Sequence, residues 1–181
     1  MELCKGRPQN NNDRTDKEIR VYDLLDSLNI EYYRIDHAPA NTMEVCKEID
    51  EVLGAKICKN LFLCNRQKTK FYMLMMPDDK PFKTKELTSQ INCSRLSFAG
   101  EEFMQEFLDT TPGSVSVMGL MNDSNNNVKL LVDEDVLKDE YVGCHPCINT
   151  SSLKIKTEDV FEVFLKAVHH DMTVVRLEGA E

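Results

Sequence analysis

Two neighbouring apolar segments constrain this fold most strongly. The first, KNLFLCNR, covers residues 59–66, and the second, TKFYMLMMP, covers residues 69–77. Both are rich in apolar and aromatic side chains, and the polar stretch NRQKTK at residues 65–70 connects them. Short apolar runs joined by a polar turn are typical of a β-hairpin. We therefore expect two adjacent antiparallel strands, because a tight turn joins strands that run in opposite directions.

Helical segments alternate with strand-like segments along the rest of the chain. Thr15 and Glu18 form a capping-box pattern before the helical segment KEIRVYDLLDSLNI. Asn41 or Thr42 is expected to begin a second helix, MEVCKEIDEVL, which Gly54 ends. Several neighbouring strands look hairpin-connected, so the order of elements predicts an α/β (α+β) fold in which helices pack on a mixed sheet.

Length and composition are those of a single globular domain. The chain has 181 residues, of which 41% are hydrophobic, and a chain of this size can bury a core without disulfides. Residues 1–14 are polar and contain an Asn run, so we expect a flexible tail followed by one domain at residues 15–181. No apolar stretch approaches the ~20 residues that a membrane span needs.

Cysteine usage and the first residues of the chain bear on its location. The N-terminal segment lacks the apolar region of a secretory signal. The seven cysteines are an odd number at irregular spacings. Together these features predict a cytoplasmic protein with reduced thiols.

The net charge of −9 is unevenly distributed. Residues 56–95 contain nine Lys or Arg residues against three acidic ones, a net charge of +6 that leaves −15 for the rest of the chain. A basic segment in an acidic protein indicates either a local binding surface for a phosphate backbone or an ordinary solvated surface of strands and turns. The charge pattern alone leaves both interpretations open.

The segment GCHPCINT at residues 143–150 places Cys144 and Cys147 at the spacing of a redox dithiol. A reactive thiolate usually lies at a helix N-terminus, which lowers its pKa, but the INTSSLKIK that follows has a strand pattern. A zinc clip needs a second pair of ligands at matching spacing, so we expect no metal. His145 precedes Pro146, which favours an extended backbone, and its side chain is expected either to face a pocket or to be a hydrogen-bonded structural histidine.

Two further segments are candidates for a binding site. Lys59 and Asn60 stand at the mouth of a buried strand, where a lysine can contact an anionic or carbonyl-bearing ligand and an asparagine offers both a donor and an acceptor. The alternative for Lys59 is a surface lysine at a strand edge. The segment PGSVSVMGL, which begins at Pro112, exposes backbone N–H groups that can stabilise an oxyanion, although most such turns are only turns.

Four segments, taken in order, carry a resemblance to a known family. HAPANTMEVC, KNLFL, TPGSVSVMGL and GCHPCINTSSLKIKTEDV resemble the aminoacyl-tRNA editing proteins of the YbaK/ProX type, from about Thr15 to about Val168. The resemblance is nearest to freestanding relatives of the insertion domain of bacterial prolyl-tRNA synthetase, in the alanyl-tRNA(Pro) deacylase branch called ProX or PrdX. It implies a mixed, mostly antiparallel sheet partly rolled around a pocket. It also implies hydrolysis of the ester of a mischarged tRNA(Pro), above all Ala-tRNA(Pro), without a cofactor.

The resemblance implies particular site residues. The residues expected to be catalytic are Lys59, Asn60 and His145. Those expected to bind the substrate are Gly113, Ser114, Ser116, Val117, Met43 and Leu61, although Met43, Leu61 and Val117 could equally belong to the core. Those expected to contact the tRNA(Pro) acceptor stem are Lys56, Arg66, Lys68, Lys70, Lys83 and Lys85. The resemblance also implies prolyl-tRNA synthetase as a second partner.

One position departs from the family pattern. Relatives commonly carry a Gly-x-x-x-Pro pattern in the glycine-rich loop, and here Val117 stands in place of the proline. Valine keeps bulk but lacks the fixed φ of proline, which leaves the rigidity of the loop and the selected amino acid open. Two other functions also remain: a non-catalytic module that binds aminoacyl-tRNA, and a thiol–disulfide oxidoreductase that uses Cys144 and Cys147.

Overall fold

The computed structural model describes residues 1–40 and 42–179. Its strands are β1 (Cys4–Lys5), β2 (Tyr32–Asp36), β3 (Lys59–Asn65), β4 (Phe71–Met76), β5 (Leu96–Phe98), β6 (Val128–Asp133), β7 (Tyr141–Cys144), β8 (Ser151–Lys156) and β9 (Met172–Val175). Its α-helices are α1 (Asp16–Ser27), α2 (Met43–Leu53), α3 (Thr84–Gln90), α4 (Glu101–Phe103) and α5 (Leu165–Ala167). Short π-helical or 3-10 turns lie at Met104–Leu108, Val117–Asn122, Glu134–Lys138 and Asp159–Phe164. Within these described ranges, no helix is long and apolar enough to cross a bilayer.

The predicted hairpin forms the centre of the larger sheet. β3 pairs antiparallel with β4, and Leu61 lies opposite Leu74. All residues of β4 are buried. β4 also pairs in parallel with β6, and β6 pairs in parallel with β9, so the strand order is β5-β3-β4-β6-β9. Parallel strands are usually covered on both faces, which explains why the sequence of β4 is apolar throughout instead of alternating.

The smaller sheet is antiparallel and has the order β1-β2-β8-β7. The predicted fold class is therefore confirmed, with the strands divided between two sheets. A parallel bridge between Ile57 and Gly143 joins the segment before β3 to β7. In this bridge, Gly143 N–H donates to Lys56 O at 3.0 Å and Cys58 N–H donates to Gly143 O at 3.2 Å. The bridge connects one sheet to the other.

Helix α2 has defined capping residues at both ends and packs against the smaller sheet. The Thr42 hydroxyl accepts the Val45 N–H at 3.2 Å, which makes Thr42 the N-cap. Asn41, the other predicted cap, lies outside the described residues. Gly54 ends the helix in the left-handed region at φ 74°. Ile49 of α2 is buried against Ile35 of β2, so the helix cannot shift without opening this part of the core.

Residues 1–14, expected to form a flexible tail, contact the rest of the protein at several points. β1 pairs with β2. The Arg7 guanidinium lies 2.7 Å from Asp23, and Arg14 donates to Asp36 at 2.9 Å. The mobility of this segment and the domain boundary at residue 15 stay predictions.

Replacing Gly143 by alanine should destabilise the fold. A Cβ atom at Gly143 would lie 2.8 Å from Lys56 O and 2.9 Å from Ile57 Cα, so the two backbones would have to separate. Forced shifts of this kind in packed regions usually cost about 1–3 kcal/mol. We expect a lower midpoint of urea unfolding with an unchanged m-value.

The matched control for this substitution is Gly100→Ala. The atoms nearest to a Cβ at Gly100 belong to the flexible carboxylate of Glu102, which can move away. We expect a clearly smaller loss of stability for this control. Equal losses in the two variants would show that the bridge tolerates a side chain.

Candidate functional site

A cavity of about 460 Å³ opens beside the bridge between the sheets. Its wall combines the connection from β2 to α2, one side of α2, the start of β3, the turn after β4, the turn at Gly113 and the bend between β7 and β8. The charged and hydrogen-bonding side chains in this wall include His37, Asp50, Lys59, Asp78, His145 and Asn149. Segments from the whole length of the chain therefore meet around one space.

Lys59 is the first residue of β3, and its side chain lines the cavity. Its Nζ donates to Lys80 O at 2.6 Å, which holds the ammonium beside the turn after β4. An ammonium has three donors, so two remain after this bond. Among the residues that the structure describes, Lys59 forms no ion pair with a carboxylate, and its charge is available to an anionic or carbonyl-bearing ligand.

His145 lines the same cavity from the bend between β7 and β8. Its Nδ1 lies 2.8 Å from Ser151 O. A carbonyl oxygen only accepts, so Nδ1 donates and Nε2 is the unprotonated nitrogen of the neutral ring. Burial lowers the pKa of His145 below its ordinary value, and the bond to Ser151 offsets this only in part. At neutral pH the ring is therefore an uncharged acceptor at Nε2.

The structure thus brings the predicted residues Lys59, Gly113 and His145 to one cavity, while Asn60 does not line it. Successive residues of a strand point to opposite faces, so Asn60 is directed away when Lys59 faces the cavity. Its Nδ2 donates to Cys58 O at 3.1 Å. Its Oδ1 is buried without a hydrogen-bond partner in the described part of the chain.

Other predicted substrate-binding residues of the glycine-rich loop do not line the cavity. The Ser114 hydroxyl donates to Thr111 O at 3.0 Å and thereby closes the turn. Ser116 Oγ accepts the Met118 N–H at 3.1 Å and caps the following 3-10 turn. Val117 is fully buried in the main core. These three residues therefore stabilise the backbone of the loop and do not form part of the cavity wall.

Met43 and Leu61, the remaining candidates for the pocket wall, also lie elsewhere. Met43 is the first residue of α2, and 75% of it is exposed to solvent. Leu61 packs, partly buried, against the apolar cluster on one face of the larger sheet. Neither side chain belongs to the cavity wall.

Four polar wall residues were not among the predicted site residues: His37, Asp50, Asp78 and Asn149. His37 begins the segment HAPANTMEVC that contributed to the family resemblance, and its ring centroid lies 6.3 Å from that of His145. Asp50 has no such signal, because a carboxylate on an amphipathic helix is usually solvated. Its Oδ1 accepts the Ile57 N–H at 3.1 Å. Burial raises the pKa of Asp50, and the nearby Asp78 adds to this rise.

The predicted tRNA-binding residues are spread over three places. Lys56 is exposed next to the bridge, residues 66–70 form the turn between β3 and β4, and Lys83 and Lys85 stand at the start of α3. Arg66, Lys68 and Lys70 lie beyond the far end of β3, about 20 Å from Lys59 at a rise of ~3.3 Å per residue. A ligand that contacted all three places would have to extend well beyond the cavity.

The cysteines around His145 are buried. Cys144 and Cys147 are fully inaccessible and carry free thiols. Burial raises the pKa of Cys144 far above its ordinary value and raises the pKa of Cys147 to about 12. Reactive cysteines require the opposite shift, so the geometry does not favour a dithiol enzyme. Within the described residues, no group of three or more His, Cys, Asp or Glu side chains could hold a metal ion.

Comparisons with known proteins show what the chain is similar to. The family model of the aminoacyl-tRNA editing domain matches residues 37–163. The prolyl-tRNA editing protein ProX of Acetoanaerobium sticklandii is 32% identical over 162 residues, which cover 90% of this chain and 98% of that protein. The prolyl-tRNA synthetase associated domain-containing protein 1 of Danio rerio is 25% identical over 165 residues, which cover 90% and 89%.

A solved structure shares the fold. The crystal structure of a candidate trans-editing enzyme for prolyl-tRNA synthetase superposes with a TM-score of 0.66 at 15% identity, over 90% of this chain and 98% of that one. At such low identity the likeness concerns the fold alone. The segment that the family model matches contains Lys59, Gly113 and His145, the predicted residues that line the cavity.

Cys144 and Cys147 should resist alkylation in the folded protein, because they are inaccessible and only a thiolate reacts. We expect iodoacetamide at pH 8 to label the half-buried Cys4, Cys46 and Cys93 first. Cys144 and Cys147 should be labelled only after unfolding, as peptide mass spectrometry can measure. Labelling of Cys144 in the native protein as fast as that of Cys46 would reinstate the redox interpretation.

Proposed function

The chain belongs to the aminoacyl-tRNA editing domain family, and on this premise we propose that it is a trans-editing deacylase that hydrolyses mischarged tRNA(Pro) in the cytoplasm. Ala-tRNA(Pro) is the proposed preferred substrate. The observation that carries the proposal is the meeting of Lys59, Gly113 and His145 in one cavity. Each of these residues comes from a different one of the sequence segments that carry the family resemblance.

The charges around the cavity support an aminoacyl ester as ligand. Lys59 contributes a positive charge, whereas Asp50 and Asp78 contribute carboxylates to the same wall. The end of an aminoacyl-tRNA carries an α-ammonium group on one side of the ester and phosphates on the other. In the proposed complex, Asp50 faces the ammonium and Lys59 faces the ester carbonyl or the terminal phosphate.

Water is the proposed nucleophile. Nε2 of His145 accepts a hydrogen bond from the attacking water and assists removal of its proton. The oxygen of the tetrahedral intermediate is stabilised by the Lys59 ammonium. The bond between the carbonyl carbon and the ribose oxygen then breaks, and the ribose oxygen leaves with the proton that His145 Nε2 had taken from the water. Asn60 contributes indirectly, because its amide fixes the Cys58 carbonyl directly before Lys59.

The turn at Gly113 offers a second donor to this oxygen. Ser114 N–H already donates to Thr111 O at 2.9 Å. The N–H of Gly113 has no acceptor in the part of the chain that the structure describes. Gly113 adopts φ 88°, a left-handed conformation that side chains disfavour. The backbone of this turn is therefore the proposed oxyanion contact, with Ser114 and Ser116 as its support.

Selection between amino acids is proposed to be steric. A cavity of about 460 Å³ is larger than any single amino acid side chain and has space for part of the terminal adenosine. A methylene group or two in an apolar pocket is worth only about 1–3 kcal/mol, which is why synthetases need a second sieve. Val117 lies in the core behind the turn. Valine in place of proline therefore affects selection through the position of Gly113 and not through contact with the substrate.

Lys59→Ala should abolish most of the deacylation, because the ammonium is the only cationic side chain in the cavity wall among the described residues. We expect a loss on the order of a hundredfold or more in kcat, as for other groups that stabilise an oxyanion. The measurement is a deacylation panel with tRNA(Pro) charged with alanine, serine, cysteine or proline. Wild type should release alanine fastest and proline slowest.

Lys129→Ala is the matched control for this experiment. Lys129 is an exposed lysine on β6, outside the cavity wall, and its removal should leave every rate in the panel unchanged. Tight binding of Ala-tRNA(Pro) by wild type without any hydrolysis would favour the non-catalytic module. Full activity of Lys59→Ala would remove the assigned role of this lysine.

The proposed partner is the acceptor stem of tRNA(Pro), with prolyl-tRNA synthetase as a second, and the tRNA contact should be sensitive to salt. The exposed basic residues between Lys56 and Lys85 would displace counterions from the phosphates. With several such contacts, we expect kcat/KM to fall by roughly tenfold or more between 50 and 200 mM salt. Measurement of deacylation over a salt series tests this. A flat profile would show that the basic residues are ordinary surface.

A further inference from the structure

Two consecutive serines hold the imidazole of His145 from behind the cavity. Ser151 O accepts from Nδ1 at 2.8 Å, and Ser152 Oγ lies 3.4 Å from the same nitrogen. Both serines stand at the start of β8 and are completely buried. Two oxygens directed at Nδ1 favour the tautomer in which this nitrogen carries the hydrogen.

Two consecutive residues at the end of β2 hold these serines in turn. Asp36 lies opposite Ser151 in the antiparallel pairing of β2 with β8. Its Oδ1 accepts from the Ser151 hydroxyl at 2.5 Å. The Nε2 of His37 lies 2.8 Å from the Ser152 hydroxyl oxygen. The two serines that contact His145 are therefore each fixed by a separate side chain.

The direction of the hydrogen bonds follows from the groups involved. Nδ1 of His37 lies 2.8 Å from Ala38 O, and since a carbonyl only accepts, Nδ1 is the donor. With Nδ1 as the donor, Nε2 is the nitrogen that accepts the Ser152 hydroxyl hydrogen. This bond turns the lone pairs of Ser152 Oγ toward Nδ1–H of His145. The chain of bonds runs in one direction from His145 to His37.

Asp36 is itself strongly anchored. It accepts two hydrogen bonds from Arg14, at 2.9 and 3.0 Å, and also pairs with Arg34. Arg14 is bound in addition to the buried Glu18 at 2.9 Å. Burial alone would raise the pKa of Asp36, but its hydrogen bonds to Arg14, Arg34 and Ser151 hold it well below the ordinary value. The carboxylate is therefore a fixed, ionised acceptor for Ser151.

We propose that Asp36 and His37 are positioning residues of the editing site, which act through Ser151 and Ser152 to keep the Nε2 lone pair of His145 directed into the cavity. The inference rests on the proposed function for the importance of this lone pair, whereas the hydrogen-bond geometry is independent of it. The orientation and tautomer of the general base, His145, are then fixed by the pairing of β2 with β8.

Removal of the two serine hydroxyls tests this proposal. Ser151→Ala and Ser152→Ala leave the Ser151 carbonyl and the ion pairs of Asp36 in place. In wild type, long-range ¹H–¹⁵N NMR of the His145 ring should show a protonated Nδ1, with signals assigned by their loss in His145→Gln. In the double variant the Ser151 carbonyl remains an acceptor for Nδ1, but the Ser151 hydroxyl no longer anchors it to Asp36, so we expect a partial shift toward the other tautomer. The kcat for Ala-tRNA(Pro) should fall by between about tenfold and a hundredfold, with KM nearly unchanged.

Conservative and surface variants complete the experiment. Ser152→Thr retains a hydroxyl and should keep the wild-type tautomer and kcat, while Ser124→Ala in an exposed loop should change neither. If the double variant does not fold, each single variant should show a smaller shift of the same kind. A wild-type tautomer in every folded variant, or a loss of kcat without a tautomer change, would overturn the proposal.

The NMR measurement also separates this proposal from the proposed function. A tautomer shift in the variants of a protein that hydrolyses no aminoacyl ester would refute the deacylase and retain the positioning of His145. Deacylation that depends on Lys59 but leaves the His145 tautomer unaffected by both serines would retain the deacylase and refute the positioning.

Discussion

The backbone contact between Ile57 and Gly143 is the interaction on which the site depends. It is a parallel bridge, so the two segments continue in the same direction beyond it. Lys59 follows Ile57 by two residues, and His145 follows Gly143 by two residues. Side chains of extended segments repeat their direction every second residue. The side chains of Lys59 and His145 therefore both point from the bridge into the same cavity. A glycine is required there, since a Cβ would approach Lys56 O to 2.8 Å.

The two sides of the cavity are held by different kinds of interaction. On the Lys59 side, β3 is fixed by the apolar hairpin with β4, whose residues are all buried. On the His145 side, a hydrogen bond between Ser151 and Asp36 connects β8 with β2, and ion pairs with Arg14 and Arg34 fix Asp36 in place. Apolar packing positions a backbone, whereas a satisfied polar network also fixes the proton on an imidazole. The kind of interaction that holds each residue matches its proposed role. The Lys59 ammonium needs only to be placed correctly, whereas His145 as a general base also needs the correct tautomer.

Much of the fold could be predicted from local sequence patterns. The hairpin of β3 and β4, the Thr42 cap and the Gly54 end of α2 each follow from a few adjacent residues. The candidate site could be predicted only in part. Motif resemblance identified Lys59 and His145, but it could not tell that Asn60 points away, because adjacent strand residues alternate and the cavity-facing register is set elsewhere. Asp50 carried no signal, since its position becomes part of a wall only after α2 packs beside the bridge.

The sequence by itself determined the central hairpin and the glycine that ends α2, that a basic segment lies within an acidic chain, and which family the motifs resemble. These properties are local, because backbone propensity, capping and hydrophobic period depend on a few neighbouring residues. Only the tertiary structure decided that Cys144 is buried, that His37 stands beside His145, and that the basic residues are spread over three places. Such contacts depend on the register between distant strands, and a hydrophobic pattern shows which face is buried without showing what it is buried against.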